Sequence, residues 1–327
     1  MKKLIKTYLP FLLMLNIAFS FSQTNNDTLP APGARAHHAL VYDEDAKYIL
    51  LTAGSTPLDG GRSYNFFNDV WTFNGKEWKQ IATAGDKRSG VSLAYDSKRK
   101  KIYSLGGYNG KESLPDFRVL ENGEWKTISN NPDMKTAEGG LVYDAERDRI
   151  IAFGGTSNGN DVNNTTWEWD GHTWKKFEGP SPEARQSFAM IYNSKEKKTI
   201  MYGGMGSSPD KIFTDTWEFD GHQWNKVNDK GQAGPRFSCG YAYDSKRNLL
   251  IIFGGDAGDV YGDTWSWDGK EWKQLSDTGP KPRSMGCLAY DKNRDRIVMF
   301  GGRLNWPNDA NDTWEWDGTK WKEVNLK

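Results

Sequence analysis

Five arginines recur in one slot of this sequence: Arg35, Arg88, Arg185, Arg236 and Arg283 each stand seven residues before a tyrosine, Tyr42, Tyr95, Tyr192, Tyr243 and Tyr290. If their heads share a surface, the forked guanidinium donors make a positive mouth suited to carboxylate or sulfate groups. The structural alternative is that each arginine bonds a neighbouring carbonyl or glycine turn. Arg303 adds a further cation, and Tyr64, Tyr261 and Trp306 supply aromatic area on which a ligand could stack. Trp306 stands apart, because the other fourteen of the 15 tryptophans fall in repeating slots. An indole outside any such slot is either a stacking platform for a sugar or peptide or a side chain folded back onto its own loop.

Other chemistry is thinly supplied. Of the four histidines, His172 and His222 follow Asp-Gly turns, while His37 and His38 are neighbours that point to opposite faces of a strand and cannot jointly chelate one ion. No nucleophile elbow, phosphate loop or zinc motif occurs, so no metal or cofactor is expected and no catalytic residue is nominated. Cys239 and Cys287 come three and four residues after their arginines. Opposite parity means that they face one another, allowing a disulfide, or face apart.

A repeat must position these residues. Trp78, Trp125, Trp174, Trp224, Trp272 and Trp321 follow one another at intervals of 47, 49, 50, 48 and 49 residues. Each comes just after a turn pair, Asn74-Gly75, Asn122-Gly123, Asp170-Gly171, Asp220-Gly221, Asp268-Gly269 or Asp317-Gly318. Such pairs are expected to close type I′ hairpins, in which both central residues take positive φ. Upstream lies an aromatic strand, as in Thr166-Trp167-Glu168-Trp169, whose alternation puts both indoles on one face, between adjacent sheets. A second strand ends in a glycine pair, as at Gly106-Gly107 and Gly203-Gly204, and a third begins after the arginine slot, which Thr136 fills in the third unit. Four residues after that slot the side chain is always small (Ala39, Ser92, Gly140, Ala189, Gly240, Cys287). If these strands are innermost, neighbouring sheets converge there.

Four antiparallel strands repeated six times resemble the kelch β-propeller family over about residues 33–325. The resemblance implies an all-β fold, a six-bladed propeller of four-stranded antiparallel kelch blades over residues 33–327, preceded by a linker over residues 23–32. The second unit departs from the pattern: Asp116 to Gly123 is one residue longer and lacks the strand tryptophans, suggesting a bulge. Ring closure is expected without an exchanged strand. Some kelch domains grip acidic partners through the arginine slot, and Arg88-Ser89-Gly90 looks like that version. Others are sialic acid mutarotases with a carboxylate and an arginine in the central mouth, whereas the histidines and the tyrosine–cysteine pair of the copper oxidase relatives have no match here.

In a four-stranded meander the arginine slot and the loops after the glycine pairs share one face, and binding residues usually sit on such loops. They carry Arg62, Tyr64, Tyr108, Asp210, Tyr261 and Trp306 among others. Met1 to Ser22 reads as a secretory signal, with Lys2, Lys3 and Lys6 before the apolar run Tyr8 to Phe19, so a periplasmic or secreted protein without membrane insertion is expected. The chain has 43 basic and 43 acidic residues; losing three lysines leaves 40 against 43, a balance that disfavours nucleic acid. The expected function is a binding module for an anionic glycan or an acidic protein segment at the loop-rich mouth. The alternative is a carbohydrate-active enzyme, a mutarotase-like epimerase or a lyase, at the same place.

Overall fold

The computed structural model describes residues 30–326 apart from 84, 158–160 and 209–210, so the leader segment and most of the linker lie outside the described residues. Six four-stranded antiparallel sheets follow one another along the chain. Blade 1 runs outward through Ala39–Asp43, Tyr48–Thr52, Asp69–Phe73 and Trp78–Thr83. Blade 4 repeats it as Ala189–Asn193, Lys198–Tyr202, Thr216–Phe219 and Trp224–Asn228. Blades 2, 3, 5 and 6 begin at Ser92–Asp96, Gly140–Asp144, Gly240–Asp244 and Cys287–Asp291. The six first strands touch their neighbours in a closed circle, blade 6 against blade 1 included, which makes the molecule a six-bladed propeller. Every blade supplies its own four strands, so closure uses no exchanged strand.

Side-chain locks join the blades where alternation leaves an indole facing the neighbour. The outer-strand indole N–H donates to a threonine of the preceding blade: Trp224 to Thr166 at 2.9 Å, Trp272 to Thr216 at 2.9 Å and Trp321 to Thr264 at 2.8 Å. Trp78 donates to Thr313 at 2.9 Å, so the seam between blades 6 and 1 is closed as the others are. The slot holds Val70 in blade 1 and Phe117 in blade 2, and Trp174 there packs edge-on against Phe117 with its N–H unpaired. The small-residue slot is also explained by a neighbour. A Cβ at Gly140 would lie 2.8 Å from the Phe188 ring and overlap Met190, both of blade 4.

Two expectations about turns are corrected. Only Asn122-Gly123 has positive φ at both residues, 53° and 81°. In the other five pairs the glycine alone is positive, and the hairpin closes one residue later, as where Asp170 N–H donates to Thr173 O at 3.2 Å. The preceding Asp or Asn instead caps the turn: Asp170 Oδ1 accepts from the backbone of His172 and Thr173 at 2.9 and 2.8 Å. The longer stretch in blade 2 is therefore absorbed by its type I′ turn. Its register step between Thr127 and Ser129 is no peculiarity, since blades 1, 4 and 5 carry similar steps.

The face opposite the mouth is held by charge. Arg99 and Lys98 of blade 2 reach Asp148 of blade 3 at 2.6 Å, and Arg247 and Lys246 of blade 5 reach Asp295 of blade 6 at 2.8 and 2.6 Å. Tyr143 and Tyr290 donate to the same two carboxylates at 2.9 Å. This puts the tyrosines at the far end of the first strands from the arginines.

Candidate functional site

The five repeat arginines do not form an open mouth. Arg35, Arg88, Arg185, Arg236 and Arg283 are at most 2% exposed. Each lies within its own blade and donates to the backbone oxygen at the end of the second strand, Ala53, Gly106, Gly203, Gly254 or Gly301, at 2.9–3.1 Å. Each also pairs with the aspartate that opens the third strand: Asp69, Asp116, Asp215, Asp263 or Asp312, at 2.5–2.9 Å. In blade 3 Thr136 Oγ1 donates to Gly154 O at 2.9 Å, and the aspartate position is also threonine, Thr165. Burial pushes these carboxyls up, but the arginine's hydrogen bonds and charge, with an indole N–H, outweigh it in Asp69, Asp215, Asp263 and Asp312, which titrate below the usual range. The forked donors that were expected to meet a ligand are spent tying the first strand to the second and third.

Tyr261 belongs to the same structural set, because its ring covers Arg236 with the guanidinium carbon 4.4 Å from its centroid, as Phe67 and Phe213 cover Arg35 and Arg185. Arg303 is likewise engaged: it forks onto Asp309 at 2.9 and 3.3 Å and lies 4.9 Å from the Trp306 ring. Tyr64 and Trp306 are different. Two short hairpins raise them on the mouth face, Ser55–Leu58 with Ser63–Phe66 in blade 1 and Arg303–Asn305 with Asn308–Asp309 in blade 6. Trp306 is 52% exposed, Tyr64 43% and Tyr108 of blade 2 37%. Centroid distances of 5.9 Å from Trp306 to Tyr64, 6.3 Å from Tyr64 to Phe66 and 6.1 Å from Phe66 to Tyr108 link them into one ridge across blades 6, 1 and 2. A Cβ at Gly61 would overlap the Trp306 indole, so blade 1 leaves room for blade 6's aromatic. Arg62 and Lys111 lie within this loop region and form no ion pair among the described residues. Asp210 lies outside the described residues.

A second constellation occupies the axis. Two residues after the arginine slot, His37, Gly90, Glu138, Ser187, Ser238 and Met285 all take positive φ, between 52° and 64°. Each N–H donates to the carbonyl of the residue before it around the circle, at 2.7–3.3 Å, so six backbone hydrogen bonds close a ring. His37 therefore precedes its strand and does not alternate with His38 as a strand pair would. His37 Nδ1 donates to Glu138 Oε1 at 2.9 Å, and Ser187 Oγ donates to Glu138 Oε2, joining blades 1, 3 and 4. Burial alone would raise the Glu138 carboxyl; the His37 charge and the two hydrogen bonds outweigh it and hold it at about 2. Below lies a channel of about 410 Å³ lined by the first strands. Sequence reasoning missed Glu138; its one signal was the third unit, where the arginine slot is Thr136 and a carboxylate follows two residues later.

Neither cysteine is bridged, the second of the two arrangements that their opposite parity left open. They face apart: Cys239 packs among Ile200, Leu250 and Trp272 between blades 4 and 5, while Cys287 Sγ donates to His38 O of blade 1 at 2.7 Å. Burial pushes their thiols up to about 11 and about 12, which keeps them protonated and unreactive. Among the described residues no group of three or more His, Cys, Asp or Glu side chains could hold a metal ion.

The KLHDC2/KLHL20/DRC7 Kelch-repeats domain model matches residues 59–241, more than half of the chain. A propeller of that kind points to a protein-binding module. Six blades with the glycine pair, the buried arginine and the outer-strand tryptophan in register, together with that match, assign the chain to the kelch-repeat family.

Proposed function

We propose that this kelch propeller is a binding module that takes an acidic protein segment with apolar side chains across the ridge Trp306–Tyr64–Phe66–Tyr108. The observation that carries the reading is the exposure of three large aromatics in one contiguous line, whereas the fourteen tryptophans in the strand slots are packed. Exposed aromatic anchors dominate protein interfaces because each buries a large area at low entropic cost. Arg62 and Lys111, in the same loops and without an ion pair among the described residues, supply the charge first assigned to the repeat arginines. We further propose an extracytoplasmic setting, supported by the apolar leader Met1 to Ser22.

Peptide and glycan arrays probed side by side test this. Acidic peptides bearing aromatic residues are expected to bind, with Trp306→Ala or Tyr64→Ala weakening them by about thirtyfold, the scale of a hot spot. Hits confined to glycans, or peptide binding indifferent to both substitutions, would overturn it.

A further inference from the structure

We infer that the axial channel is a second ligand site, in which His37 Nε2 accepts a hydrogen bond from a small molecule with an apolar body and a donating head, a hydroxyl or an ammonium. This site is separate from the ridge and does not depend on the protein-binding reading.

Three features of the ring support it. Glu138 is built in by its neighbours: Gly90, the ring residue between the two partners, has no side chain, and a Cβ there would come 3.0 Å from Glu138 Cγ. His37 can thus reach past blade 2 to the carboxylate of blade 3. Both Glu138 oxygens are engaged, so the carboxylate acts as a positioning group. In the uncharged form of the ring this contact fixes the proton on Nδ1 and leaves Nε2 as an acceptor. Among the described residues Nε2 has no hydrogen-bond partner, and it is not among the buried unpaired atoms, so it is open to a visitor. A brace across the axis would need the Nδ1 contact and nothing more.

The channel beside it suits an apolar body. Its walls include Leu93, Leu141, Met190 and Leu288, with Ser238 near the polar end, and 410 Å³ falls within the usual range of small-molecule pockets. An anionic head is disfavoured by the charged Glu138 next to the acceptor. A serine–histidine nucleophile is excluded by the wiring, since Ser187 donates to the carboxylate and makes no bond to His37.

Three probes with one body separate the heads: cyclohexylmethanol, cyclohexylmethylamine and cyclohexanecarboxylate. They are titrated at millimolar concentration and about pH 9, well above the usual imidazole range, into the full chain with ¹⁵N-labelled imidazoles, whose four histidines give few signals. The alcohol, the amine or both should bind and move the His37 Nε2 resonance, with His172 and His222 unmoved, and His37→Leu should weaken binding about tenfold or more. Carboxylate binding equal to that of the donors, saturation by none of the three, or shifts that leave His37 still would overturn the site. Because the wild-type resonance is itself read, the test stands even if a variant does not fold. Ridge variants such as Trp306→Ala should leave these titrations unchanged.

Discussion

His38 and Phe188 occupy the same place in blades 1 and 4, and comparing them isolates what a buried imidazole does. Phe188 meets Phe153 edge-on at 5.6 Å, and His38 meets Phe300 edge-on at the same 5.6 Å. His38 is 3% exposed and both ring nitrogens are unpaired. Burial first, then the charges of Arg35 and His37, lower its pKa from 6.5 to about 3. The native chain thus refuses a proton that the unfolded chain accepts below 6.5. Stability from this group is fully present above 6.5 and falls as the pH drops toward 3. One such proton is worth up to about 1.4 kcal/mol per pH unit. His38→Phe should therefore flatten the loss of stability between pH 6.5 and pH 5, measured by urea unfolding. An unchanged slope would show that His38 finds a partner for its charge.

At the scale of the blade, the arginine–aspartate lock ties the start of the first strand to the start of the third, and blade 3 shows what replaces it. Thr136 and Thr165 stand there together, so neither a buried cation nor a buried anion is left alone. Removing one partner of a buried pair costs about 3–5 kcal/mol, because the other charge stays desolvated. Arg185→Thr or Asp215→Thr alone should destabilise on that scale, while the pair of substitutions that copies blade 3 should cost less than either single change. Strictly additive losses in a denaturation cycle would defeat this account. The same pair explains what sequence reading could reach. The period of the tryptophans and glycine pairs revealed the blades, since those signals are local. The arginine slot by itself left two roles open, a ligand contact or a bond to a neighbouring carbonyl or glycine turn, and the joint loss of arginine and aspartate in the third unit was the clue to the second, which the structure shows. Trp306 was legible as an indole without a packing slot. The trio of His37, Glu138 and Ser187 was not, because it joins positions 101 and 49 residues apart across an axis that only closure creates.

Closure of the whole disc raises the question of where it opens. Blades 6 and 1 come from opposite ends of the repeat array, yet their seam has the Trp78–Thr313 lock and a core including Ile49, Leu51, Phe73, Val298 and Phe300, each fully buried. The seam between blades 1 and 2 is weaker. Val70 replaces the threonine, Trp125 is only half-buried, and the main cluster has just three buried residues, Leu50, Val70 and Ile102. Local opening follows the thinnest packing, whatever the chain order. Hydrogen exchange should therefore be faster along the strands facing each other across blades 1 and 2 than across blades 6 and 1. Thr313→Val removes the closing acceptor, leaves the buried Trp78 N–H unpaired and should cost about 1–3 kcal/mol, moving fast exchange to blades 6 and 1. Val70→Thr should slow exchange at the weak seam by giving Trp125 the acceptor that Trp78, Trp224, Trp272 and Trp321 have. Faster exchange at blades 6 and 1 in the unmodified protein would mean that the covalent break in the ring, and not the quality of each seam, governs how this propeller opens.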